Sequence, residues 1–96
     1  MDYSIAEISD IVAPIAQKYG VKQVCLFGSR ARGNSNESSD YDFSIDPGEL
    51  VDYFEYISFV EELESVFGNV DVVSKRTLRE DRFYQNMIAD EVLIYG

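Results

Sequence analysis

The sequence predicts a small α/β (α+β) protein, a mixed β-sheet with covering helices. Three observations carry this. Segments with helical and with strand periodicity follow one another along the chain. One strand, Val24-Cys25-Leu26-Phe27, is apolar throughout, as a strand covered on both faces would be. Another, opening at Asp40, alternates Tyr41, Phe43 and Ile45 with Asp42, Ser44 and Asp46. At 96 residues, 46% hydrophobic and 14% aromatic, the chain suffices for one packed domain, residues 1–96, and is too apolar for disorder.

Residues 4 to 19 read as a helix. Ser4 and Glu7 form a capping box, and Ile5, Ile8, Val12, Ile15, Ala16 and Tyr19 recur at three- and four-residue spacing. Pro14 predicts a kink, or a helix that restarts at Asp10, because it cannot bond the Asp10 carbonyl. Gly20 is the stop. Val21 to Phe27 is the first strand, and it delivers Gly28-Ser29 at its carboxyl end. Asp46-Pro47-Gly48 is a turn. Leu50, Phe54, Ile57, Val60, Leu63 and Phe67 mark a second helix with a stop near Gly68, and Tyr53, Tyr56 and Phe59 lie beside that stripe. Its width suits the core, or a surface for a partner. Asn69 to Ser74 is a third strand, with Val70 and Val72 on one face and Asp71 and Val73 on the other. Thr77 to Ala89 reads as a last helix with a second capping box, Thr77 and Glu80, and inward Phe83, Met87 and Ile88. Its Arg76, Arg79 and Arg82 read first as a solvated face. Val92 to Tyr95 closes the chain as a short strand or an extended tail.

Composition excludes several functions. There is no histidine, so Ser–His–Asp catalysis and most zinc sites are out. The single cysteine, Cys25, has no partner for an internal disulfide and reads as a small buried hydrophobe. Eighteen acidic and eight basic residues give a net charge of −10. That argues against direct nucleic-acid binding, which rests on Lys and Arg. It suits docking on a basic partner, although acidic surfaces also keep small proteins soluble. No apolar run can span a membrane and no signal peptide precedes the first helix, so the expected location is cytoplasmic.

The chemistry concentrates between Leu26 and Asp46. Gly28 and Gly33 let backbone approach phosphates closely. Ser29 adds a hydroxyl and an N–H, and Arg30 and Arg32 add guanidinium groups suited to phosphate oxygens. Asp40 and Asp42 share one strand face, with Tyr41, Phe43 and Ile45 turned to the core. Two adjacent carboxylates suit Mg²⁺ shared with substrate phosphates. Gly28-Ser29, the ten residues Arg30 to Ser39 and then Asp40-Tyr41-Asp42 should meet by chance on the order of once per 10⁵ start positions.

At these residues, with Ala31, Arg32, Gly33 and Ser39 in matching places, the chain resembles the minimal nucleotidyltransferases of the DNA polymerase β superfamily. The resemblance implies the polymerase-β-like fold and a third metal-binding acidic residue, the base for the attacking hydroxyl, on a neighbouring strand. Asp71 matches it in type and context. Taken alone, Asp71 could be an edge-strand carboxylate facing water, but a carboxylate buried without a partner would be costly. The expected site is therefore Asp40, Asp42 and Asp71 as catalytic and metal-binding residues. Gly28, Ser29, Arg32 and Ser39 hold the nucleotide, with two Mg²⁺ as cofactors and ATP as substrate. Arg30 receives no carried-over role.

Such proteins typically accompany a HEPN ribonuclease toxin and silence it by transferring AMP to one of its tyrosines. The resemblance thus implies an adenylyltransferase antitoxin with a HEPN toxin as partner. The predicted helices and sheet leave no residues for an acceptor domain, so the acceptor should lie on a docking protein. Two alternatives stand beside this. One is an antitoxin that acts by binding alone, against which the clustered, mutually repelling carboxylates speak. The other is a small-molecule nucleotidyltransferase of the aminoglycoside type.

Overall fold

A computed structural model describes residues 3–28, 31, 40–75 and 91–96 of the chain. The elements are α1 (Ile5–Tyr19), β1 (Gln23–Phe27), β2 (Tyr41–Asp46), α2 (Tyr53–Phe67), β3 (Val70–Ser74) and β4 (Val92–Tyr95). The predicted helix over 77–89, with Arg76, Arg79 and Arg82, lies outside the described residues.

α1 begins with the expected capping box. Glu7 N–H donates to Ser4 Oγ at 3.1 Å, and Ser4 N–H donates to Glu7 Oε1 at 2.8 Å. It ends at Gly20, whose φ of +72° closes the last turn. The break expected at Pro14 does not occur, and α1 runs through it. Pro14 is exposed, so the Asp10 carbonyl that loses its partner is at a wet face. The buried stripe Ile8, Val12 and Ala16 spans the same turns and holds them against the sheet.

The four strands form one mixed sheet in the order β3-β2-β1-β4. β1 pairs antiparallel with both β2 and β4, and β2 pairs parallel with β3. A parallel neighbour requires a crossover, and α2 supplies it. Val24, Leu26, Tyr41, Phe43 and Ile45 are buried with the inward residues of α1 and α2 in one core. At one end of that core Phe67 meets Tyr41 with ring centroids 4.8 Å apart and Phe43 at 5.6 Å.

The phase of α2 differs from the sequence expectation. Phe59, Leu63 and Phe67 are the buried residues, and the half-buried Tyr56 donates its hydroxyl to Val72 O at 3.2 Å. Phe54, expected inward, is 77% exposed, and Ile57 is 37% exposed. The helix starts only at Tyr53. Asp52 caps it, accepting from Phe54 N–H at 2.8 Å and Glu55 N–H at 3.1 Å. Leu50 therefore belongs to the preceding turn, where it is buried. Phe54 then lies about 140° around the helix from Phe59, at ~3.6 residues per turn.

This phase predicts unequal substitutions. Phe59→Ala should cost about 3–5 kcal/mol, by removing a fully buried ring. Phe54→Ala should change stability by less than about 0.5 kcal/mol. Urea unfolding of the two variants checks the difference, and equal losses would place the helix in the wrong rotation.

Candidate active site

The site forms where β1 ends and β2 and β3 begin. Phe27 pairs with Asp42 across the antiparallel β1–β2 ladder, and Gly28 follows at once. Gly28 has φ +78°, a region that L side chains rarely adopt. A Cβ there would also overlap Asp42 Oδ2 and stand 3.3 Å from Asp42 Cγ. Backbone and carboxylate thus occupy the space that any other residue at position 28 would fill.

On its other side β2 pairs with β3 in the register Asp42↔Asp71. Residues in register on adjacent strands share a face, with backbones about 4.8 Å apart. Asp42 is half-buried, and Asp71 is exposed on the edge strand. Asp40 immediately precedes β2 and is exposed. Gly28, Asp40, Asp42 and Asp71 therefore gather at one end of the sheet. Asp71 faces water, so no burial cost attaches to it, and what sets it beside Asp42 is the strand register.

Ser29, Arg30, Arg32, Gly33 and Ser39 lie outside the described residues. Ala31 is described, and its half-buried methyl packs against the core. Among the described residues no group of three or more acidic or cysteine side chains closes around a point that would hold a metal ion. The donor set still suits Mg²⁺, which commonly takes one or two carboxylates and completes its shell with water and substrate phosphates.

The same sheet face carries a polar cluster that sequence reasoning did not find. Ser44, two residues beyond Asp42, is fully buried and donates to Glu91 Oε2 at 3.2 Å. Lys75 Nζ donates to Glu91 Oε1 at 2.9 Å, to Gln23 Oε1 at 3.2 Å and to Cys25 Sγ at 3.6 Å. Burial draws the Lys75 ammonium down, but Glu91 and Cys25 outweigh it and leave its pKa raised. Burial, then the Glu91 charge, pushes the Cys25 thiol up, so it is no ready nucleophile. The only hint in the sequence is a small polar residue, Ser44, between the core positions Phe43 and Ile45.

A mixed four-stranded sheet with carboxylates gathered at one end suits an enzyme that transfers phosphate-linked groups. Residues 10–96 match the family model described as Polymerase beta, Nucleotidyltransferase, and the chain belongs to that family. A Methanocaldococcus jannaschii protein provisionally named protein adenylyltransferase MJ1379 is 33% identical over 99 residues, covering 96% of this chain and 97% of its own. Protein adenylyltransferase MntA of Thermococcus cleftensis is 35% identical over 66 residues, covering 68% of this chain and 67% of its own. A solved structure, provisionally called a minimal nucleotidyltransferase, superposes with TM-score 0.74 at 28% identity, covering 88% of this chain and 86% of that one. A toxin–antitoxin crystallised with AMP-PNP has the same fold, with TM-score 0.71 at 19% identity over 92% of this chain and 73% of that one.

The contact between Gly28 and Asp42 predicts a coupled pair. Gly28→Ala should destabilise the protein by about 1–3 kcal/mol, through strained backbone and steric overlap. Adding Asp42→Ala should recover part of that loss. Chemical denaturation of the four-member cycle measures the coupling, and strict additivity would contradict the close packing.

Proposed function

We propose that the protein is a cytoplasmic antitoxin that transfers AMP from ATP to a tyrosine hydroxyl of a HEPN ribonuclease toxin and so neutralises it. The observation that carries this is the register of Asp42 with Asp71 beside the side-chain-free Gly28, in a chain of the nucleotidyltransferase family. The names of its relatives support protein adenylylation, and the toxin–antitoxin neighbour with bound AMP-PNP supports both ATP and a toxin partner. The HEPN identity of the partner rests on the resemblance of the Gly28-to-Asp42 motif.

In this reading the backbone at Gly28, with Ser29, Arg32 and Ser39, binds the triphosphate and orients it for in-line attack. Asp40, Asp42 and Asp71 would hold two Mg²⁺ ions, which supply positive charge to the phosphate oxygens as negative charge shifts onto the leaving group. Asp71 accepts the proton of the tyrosine hydroxyl. The tyrosine oxygen forms a bond to the α-phosphorus, the bond from that phosphorus to the β-phosphate oxygen breaks, and pyrophosphate leaves. Most of the barrier is lowered by placement and by charge held ready in advance.

The test is intact mass of both chains after incubation with the toxin, ATP and Mg²⁺. The toxin should gain one or more AMP units. Asp42→Asn should abolish the gain while leaving the fold intact, because it replaces a half-buried surface ligand by a residue of equal size. A chelator should abolish it too. Full transfer by Asp42→Asn would sink the assignment of the site. A silenced toxin with unchanged mass would make the protein a binder.

A further inference from the structure

One surface of the molecule is unlike the rest. Val51 is 79% exposed, Tyr53 72%, Phe54 77% and Ile57 37%. Tyr53 and Phe54 meet edge to face with centroids 6.1 Å apart, and Ile57 lies one helical turn further along. The result is a contiguous apolar patch at the start of α2, with aromatic rings at its centre. None of these side chains belongs to the core that α2 builds with Phe59, Leu63 and Phe67.

Its neighbours along the chain are largely acidic. Glu49, Asp52 and Glu55 stand within and beside the patch, and Glu61, Glu62 and Glu64 continue along the helix. From Gly33 to Ser74 the chain has no lysine or arginine. The one cation described on α2 comes from elsewhere: Lys18 pairs with Glu62 at 3.0 Å. The charge selects the occupant. A second copy in a symmetric contact would set Asp52 and Glu55 against the same carboxylates. Anionic lipid and nucleic-acid phosphates are repelled as well. What fits is a protein surface with aliphatic side chains ringed by lysine and arginine.

Position adds a second constraint. β2 leaves the site at Asp42 and ends at Asp46, roughly 13 Å away at ~3.3 Å per residue. The turn that follows leads to Asp52 and the start of α2, so the patch lies towards the end of the sheet away from Gly28 and Asp71. An occupant that touches the patch and also presents a hydroxyl to Asp71 must be a macromolecule.

We propose that the patch of Val51, Tyr53, Phe54 and Ile57 is the docking surface for the acceptor protein, a basic partner held there while its hydroxyl reaches the carboxylates. The occupant rests on the adenylyl-transfer reading; the surface itself does not. Affinity and chemistry are then separated along the molecule. Substitutions in the patch change how much partner binds, and substitutions at Asp42 change what happens to it.

The experiment titrates the HEPN toxin against wild type, Tyr53→Ser/Phe54→Ser, Glu49→Gln/Glu55→Gln and Asp42→Asn, with binding and AMP transfer measured in parallel. The aromatic pair should weaken binding by about 30-fold or more, as central anchors do. KM for the toxin should rise in step, with kcat kept at saturation. The charge pair should slow association and flatten its salt dependence. Unchanged melting temperatures establish that these exposed substitutions leave the fold alone, and Val51→Ser serves as a second variant. Patch variants that bind like wild type, while Asp42→Asn stops transfer, would overturn the docking surface and leave the enzymatic reading standing. Lost binding in the patch variants of a protein that transfers no AMP would do the reverse. A wild-type dimer that the aromatic pair dissolves, with toxin affinity unchanged, would assign the patch to a second copy and overturn the proposal. Failure of wild type to bind the toxin would overturn both.

Discussion

The carboxylate of Asp42 can lie where it does because the chain carries no side chain at Gly28. β1 and β2 are held in the register that sets Phe27 beside Asp42, and the first residue past the strand must turn with positive φ against that carboxylate. Alanine there would meet both objections at once, the strained backbone and the overlap. Much of the site follows from this contact. The ladder that fixes Asp42 against β1 also fixes it against β3, and so brings Asp71 alongside. The core beneath, from Tyr41 and Phe43 to Phe67, holds the strands in place but contributes no chemistry.

The opposite half of the same sheet face is fixed differently. Lys75 and Glu91 bracket residues 76–90 and join each other at 2.9 Å, with both side chains mostly buried. Ser44, two residues from Asp42, ties this pair to β2. A buried pair of this kind contributes little net stability against an apolar replacement, yet losing one partner is expensive. Its effect is to specify where the chain re-enters the sheet between β3 and β4. The acidic face of α2 lies elsewhere, so the two charged regions serve different ends.

Most of the architecture was legible because local chemistry and long-range packing agree. Ser4 and Glu7 start α1 through their side chains and Gly20 ends it by lacking one, and the all-apolar run Val24 to Phe27 is the buried centre of the sheet. The Gly28-Ser29 and Asp40-Tyr41-Asp42 pair was readable as a motif at fixed spacing, and the β1–β2 register then sets Asp42 against Gly28. Four features were not readable, each for a physical reason. Pro14 costs a helix one bond, but the buried stripe Ile8, Val12 and Ala16 outweighs it. α2 has apolar residues around more than half its circumference, so periodicity admits two phases. Only the Asp52 cap and the fit of Phe59 against the sheet choose between them. Asp71 is exposed rather than buried, and its place beside Asp42 comes from a strand register that sequence cannot supply. The Lys75–Glu91 pair spans a segment of sixteen positions and leaves no local pattern.

The measurement that bears most directly on the account is calorimetric titration of AMP-PNP into the protein alone, with and without Mg²⁺, on wild type and Asp42→Asn. The proposed function would have Asp42 and the Gly28 turn hold the triphosphate together with Mg²⁺. It predicts binding that requires Mg²⁺ and is lost in the variant while the melting temperature is kept. Equal binding by both proteins, or binding indifferent to Mg²⁺, would contradict it.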